Sequence, residues 1–311
     1  MNVWEYNDFM TEGLFIDNIH PSDDLYIVIR DEDRCIEYKH YLENLWKIYY
    51  PYADKDFPQQ LARDFHARFW EMYLTCTLLN NSFQVVPKQR RSKGPDILID
   101  DSIKRIFIEA VTPSRGAGTN PDRVTPLPYG KARTIPNTEI ILRYSSAIAD
   151  KYKKYIDYLE DGLVSTSDSY IIALNSCKIG IEAKGESSGL PRIVKAVLPV
   201  GDKVVTISEF SGPIVPWRYQ YRPVIQRSRG GSVPSDLFLS DEYKGLSGIL
   251  YAHSDVANRP NQAGEEFIFI HNPKTKQNPV PHDYFKLGIE YYVELDEDAF
   301  SISWKDWRNI S

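Results

Sequence analysis

The chain is poor in the residues that build covalent or metal frameworks. Its three cysteines, Cys35, Cys76 and Cys177, are widely spaced, which excludes a disulfide framework and a CxxC zinc pattern. Histidines are only six, and His253, His271 and His282 are too scattered to name as a ligand set, so they read as structural. No apolar run approaches membrane-spanning length and the N-terminus carries no signal-peptide pattern. The expected setting is therefore cytoplasmic, without a membrane partner. An excess of positive charge is also missing. The net charge of −6 argues against coating of nucleic acid by the whole surface, but leaves room for a local basic groove. Gly116-Ala117-Gly118 has a permissive backbone, yet no Lys-Ser/Thr follows it, which excludes a P-loop. Repeats and low-complexity tracts are absent.

What is present is an ordinary soluble composition, 42% hydrophobic and 26% charged. A length of 311 residues allows one large domain or two, with a substantial core. Twenty-one tyrosines and six tryptophans read as core and sheet residues rather than as a platform for stacking bases.

Taken in order, Leu25 to Ile29 reads as a strand and residues 33 to 49 as a helix, with Tyr38, Tyr41, Leu42, Leu45, Trp46 and Tyr49 at helical spacing. A second helix is expected from Gln59 to about Asn81. Phe83 to Val86 reads as the first core strand. It leads into residues 87–93, where Lys88, Arg90, Arg91 and Lys93 crowd together; such a run is a solvated loop or, immediately before the Pro95-Asp96 pair, a set of phosphate contacts. In Gly94–Thr112, two short strands, Ile97-Leu98-Ile99 and Ile106-Phe107-Ile108, flank the turn Asp100-Asp101-Ser102. Asp96 opens the first and Glu109 lies near the end of the second. Paired strands can bring such ends together, and two converging carboxylates suit a hard divalent cation. Residues 112–136 are rich in proline and glycine, with Arg115, Arg123, Lys131 and Arg133 against the single acid Asp122. They read as a flap over a nucleic-acid groove, or as a plain insertion. Glu139 to Glu160 is the clearest helix: Ile141, Tyr144, Ile148, Tyr152, Tyr155 and Leu159 form one stripe, while Arg143, Ala147, Lys151 and Lys154 line a second face. Tyr170 to Leu174 follows as a strand. Beyond Cys177, strands are expected at 192–200, 203–207, 248–253, 266–270 and 291–295. The connection Gln226–Pro234 brings Arg227 and Arg229 next to paired glycines.

Pro95-Asp96, Glu109-Ala110-Val111 and the upstream Glu71, in this order of elements, resemble the PD-(D/E)xK nuclease superfamily over residues 59 to 175. The resemblance implies an α/β restriction-endonuclease-like core (helix, three strands, helix, strand): a central mixed sheet flanked by helices, extended by a β-rich C-terminal part. The implied division is an N-terminal extension, 1–58, a nuclease core, 59–176, and a C-terminal extension or subdomain, 177–311. It further implies a metal-dependent nuclease acting on DNA, with Mg²⁺ or Mn²⁺ held by Asp96, Glu109 and Glu71, and with Lys88, Arg90, Arg91, Lys93, Lys131 and Arg143 toward nucleic acid. One departure stands out: Val111 occupies the position of the motif lysine. Some members carry that lysine on the following helix, which makes Lys151 the candidate for the missing cation and Lys131 the second candidate. Lys153 and Lys154 read as an ordinary basic face. For Glu71 the plain alternative is an ion pair with Arg68 at i−3. The rival readings of the whole chain are an inactive nucleic-acid-binding module and an interaction or regulatory protein.

Overall fold

The structure, a computed structural model, describes residues 13–17, 19–88, 93–101, 104–126, 130, 134–180, 189–204, 218–297 and 299–310. Its frame is a mixed seven-stranded sheet in an α/β arrangement. The strands are β1 (Ile97–Asp100), β2 (Arg105–Val111), β3 (Ser169–Asn175), β8 (Gly248–Ala252), β9 (Ile268–His271), β10 (Ile289–Leu295) and β11 (Phe300–Asp306), in that spatial order. Two small hairpins stand apart from it, β4 (Val200–Val204) with β5 (Arg218–Tyr221) and β6 (Val224–Gln226) with β7 (Ser232–Pro234). Strands β2, β3 and β8 run parallel, so Val111, Asn175 and Ala252 lie at one end of the sheet, where antiparallel β1 begins. Of the strands in the C-terminal half, β8 to β11 continue the same sheet.

Alternation along the strands divides the core in two. Ile106, Ile108, Ile171 and Ala173 face a layer of aromatic helices: α2 (Ile36–Tyr49), α3 (Phe57–Leu61) and α4 (Phe65–Asn80). Phe107, Tyr170, Ile172 and Leu174 face α5 (Asn137–Glu160) and α6 (Arg192–Val197). Helix α4 is buried over most of its length and is pinned to the sheet by the Trp70 indole, which donates to the Ala173 carbonyl at 2.9 Å. The α5 stripe of Ile141, Tyr144, Ile148, Tyr152 and Tyr155 is buried as its spacing requires.

Several expectations need correction. Leu25–Ile29 is not a strand but part of α1 (Asp24–Asp31). Despite its β-branched residues, Asp23 caps it, accepting from the Leu25 and Tyr26 amides at 3.0 and 3.2 Å. The expected strand at 192–200 is helical from Arg192 to Val197, all six residues buried, with only Val200 onward in β4. The expected helix 59–81 is two helices, α3 and α4, with Asp64 capping the second through the Ala67 amide at 3.3 Å. Phe83–Val86 shrinks to one bridge, Val85 to Ile99, flanked by hydrogen bonds from Val86 N to Leu98 O at 2.8 Å and from Asp100 N to Gln84 O at 2.9 Å. Pro87, which has no amide to donate, follows immediately. No helix of the described residues is long and apolar enough to cross a membrane.

Candidate active site

Glu109 continues the alternation of β2, so its side chain follows Phe107 onto the α5 face. It is fully buried there, a costly place for a carboxylate without partners. Partners come from one flank of α5. Lys151 Nζ and Lys154 Nζ donate to Oε1 at 2.6 and 2.7 Å, and the Tyr158 hydroxyl donates to Oε2 at 3.3 Å. Positions 151, 154 and 158 are spaced at i, i+3 and i+7, so one helix face delivers all three.

Asp96 comes from the other strand. The β1–β2 register pairs Ile97 with Ile108, and continuing it one step sets Asp96 opposite Glu109. Its Oδ2 accepts the Ala110 amide at 2.8 Å. Burial pushes the Asp96 carboxyl up to about 6, and the negative charges of Glu109 and Glu71 push the same way, with Lys151 and the Ala110 amide opposing.

Glu71 lies on α4, 2% exposed, and its charge is felt at Asp96. Its oxygens accept from Tyr49 OH at 2.8 Å, Lys88 Nζ at 3.0 Å and Arg68 Nη1 at 2.6 Å. The i−3 pair with Arg68 is thus present, together with two longer-range partners. Lys88 also donates to Asp54 at 2.6 Å. Burial opposes its charge, but the Glu71 and Asp54 carboxylates outweigh this and raise its pKa. Its ammonium is held inside the protein by two acids. Of the other expected phosphate contacts, Lys93 is exposed, Arg143 lies on α5 two turns before Lys151, and Arg90, Arg91 and Lys131 lie outside the described residues.

Sequence reasoning missed Lys154 and Tyr158. The spacing from Lys151 would have found them, had the basic face been read as pointing inward. Nothing in the sequence marks Tyr49, whose contact with Glu71 comes from packing α2 on α4. For Lys154, burial opposes the charge and the Glu109 hydrogen bond prevails, raising its pKa. For Tyr158, burial first and the Glu109 charge second raise the phenol.

The chemistry of the donors decides which cation fits. Asp96 and Glu109, set opposite each other when the β1–β2 register is continued one step, carry hard oxygen donors of the kind Mg²⁺ or Mn²⁺ takes. Among the described residues, no group of three or more His, Cys, Asp or Glu side chains is arranged to hold a metal ion. The oxygen donors that could hold such a cation are those of Asp96 and Glu109, and each is already engaged, Asp96 by the Ala110 amide and Glu109 by Lys151, Lys154 and Tyr158, as Glu71 is by Arg68, Lys88 and Tyr49. No family model, no curated protein and no solved structure matches the chain.

Proposed function

We propose that the chain is a metal-dependent nuclease that hydrolyses phosphodiester bonds in DNA, on a divergent restriction-endonuclease-like core. The observation that carries this reading is the buried Glu109 carboxylate opposite Asp96, with the Lys151 ammonium 2.6 Å from it. Two acids beside a fixed cation, at the end of the sheet where parallel strands finish, suit phosphodiester hydrolysis. Asp96 and Glu109 would hold the Mg²⁺ or Mn²⁺, which when bound polarises the scissile phosphate and acidifies a water. Lys151 supplies the charge that Val111 lacks, and Lys154 donates a second charged hydrogen bond to Glu109 beside it. Tyr158 fixes the second Glu109 oxygen, limiting rotation of the carboxylate. The test is incubation of wild type and Asp96→Asn with plasmid, linear DNA and RNA in Mg²⁺ or Mn²⁺. Cleavage of DNA by wild type alone is expected; no cleavage of any substrate by wild type removes the reading.

A second reading has a specific observation in its favour. Glu109 Oε1 already accepts from two ammoniums, so the carboxylate is neutralised without a metal. On that basis the alternative is an inactive nucleic-acid-binding module, for which DNA binding without cleavage is the outcome.

A further inference from the structure

The described part of the loop after β2 is pinned in place. Val124 is fully buried, its amide donates to Arg115 O at 2.9 Å, and Asn120 and Arg123 close turns on Ala117 and Asn120. This loop meets the turn of the β6–β7 hairpin, where Asp122 Oδ1 accepts the Ser228 amide at 2.9 Å and Arg229 donates to Thr119 O at 3.3 Å. Strand β7 in turn packs on α5. Three separate segments thereby gather Arg115, Arg123, Arg143, Arg227 and Arg229 on one surface.

How these arginines are held matters more than their number. Arg115 Nε donates to the Ile179 carbonyl at 2.6 Å and Arg143 Nε to the Ser114 carbonyl at 2.8 Å. Among the described residues none of the five forms an ion pair with a carboxylate, and Arg123 Nε is buried without a hydrogen-bond partner. Backbone carbonyls orient a guanidinium without neutralising it, which leaves the rest of its planar fork for an external anion. Two glycines make the arrangement possible. Gly116 has φ +97°, a backbone conformation that residues with side chains rarely adopt, and Gly180, with φ +65°, sits where a side chain would collide with the Arg115 guanidinium. Among the described residues of the loop and the hairpin turn Asp122 is the one acid; its Oδ1 ties the loop to the hairpin through the Ser228 amide, which lowers its pKa, with the charges of Arg227 and Arg229 acting the same way.

The surface is also in register with the site. Arg143 and Lys151 are eight residues apart on α5, about 12 Å along the axis, so the arginines lie within a few nucleotides' reach of the site. We infer that Arg115, Arg123, Arg143 and the hairpin arginines Arg227 and Arg229 form a phosphate-gripping surface that holds a nucleic-acid backbone alongside the Asp96–Glu109 site. The inference rests on the nuclease reading for its choice of polyanion, but not for its measurement.

The test is binding of the full chain to a fluorescent duplex and a single-stranded oligonucleotide, in chelator so that no cleavage intervenes, at several salt concentrations. Arg227→Gln/Arg229→Gln should lose on the order of tenfold in affinity and lower the salt slope by about 2, equally for all sequences. Arg227→Lys/Arg229→Lys should keep most of the slope, since both side chains are exposed and charge is what counts. Unchanged affinity and slope in the Gln variant overturn the inference, as does binding of poly-glutamate but of neither oligonucleotide, which would indicate an acidic protein partner. If wild type never cleaves while the slope change appears, the surface stands and the nuclease reading falls.

Discussion

At the scale of single residues, the site is a balance of buried charge. Asp96 is the residue on the losing side of it. In metal-free protein its folded pKa lies near 6, above the ordinary carboxylate value. The folded state then takes up the proton more readily than the unfolded one, so Asp96 costs nothing below about pH 4 and destabilises increasingly as pH rises through about 6. Asp96→Asn should therefore be more stable than wild type at pH 7 in chelator, by about 1–3 kcal/mol, with the gap closing toward pH 4 in urea titrations. A wild type as stable as the variant at pH 7 would show that Asp96 is compensated already. Glu109 is the opposite case, because two ammoniums share it. Losing either Lys151 or Lys154 leaves the other in place and should cost about 1 kcal/mol or less. Losing both strands a carboxylate with no exposure, at about 3–5 kcal/mol. Additive costs in the double-mutant cycle would refute this sharing. In the cleavage assay, Lys151→Ala should lower the rate by about 10²–10³ with folding little changed, since a charge acting on the transition state is removed.

At the scale of elements, α5 positions the site. It was legible because its two faces differ, Tyr and Ile on one and Arg and Lys on the other, and because Asp161-Gly162 ends it. The strand pair bearing Asp96 and Glu109 was legible for a related reason: its apolar runs are short and separated by a polar turn. What stayed hidden is what tertiary contacts decide. Leu25–Ile29 has the composition of a strand, yet Asp23 caps it as a helix while its other oxygen accepts the Phe65 amide at 3.0 Å, a contact no local pattern contains. Arg192–Val197 is buried on every side, so it shows neither alternation nor an amphipathic face. The convergence of Lys154 and Tyr158 on Glu109 depends on which flank of α5 meets β2, and spacing alone leaves that open. The short helical turn before Gly180 offers a test at this scale. Gly180→Ala must bear positive φ and displace the Arg115 guanidinium, so it should lose about 1–2 kcal/mol in denaturant melts and flatten the salt dependence of DNA binding. Stability lost with no change in salt slope would mean that Arg115 makes no phosphate contact.

At the scale of the whole molecule, the question is whether the site-bearing segment can stand without the C-terminal strands. In sequence, residues 59–176 contain every element of the expected core. In space, β3 lies inside the sheet, all seven residues buried, parallel to β2 on one side and to β8 on the other. Removing the chain beyond 176 would turn β3 into an edge with unpaired amides and carbonyls, which the sheet tolerates poorly. It would also remove Ile249, Leu250, Phe269 and Ile270, each 1% exposed or less, from the two core layers. At about 1.5–3 kcal/mol for each buried side chain, those four alone match the net stability of a typical domain, about 5–15 kcal/mol. The N-terminal helices contribute on the other face, where Trp46 stacks on Phe57 at 5.5 Å and Tyr49 holds Glu71. The fragment 59–176 should therefore give no cooperative thermal transition, digest rapidly with protease and bind no DNA in a salt-dependent manner, whereas the full chain melts cooperatively. A fragment that melts cooperatively and resists protease would show that the core is autonomous and that the later strands are an addition to it.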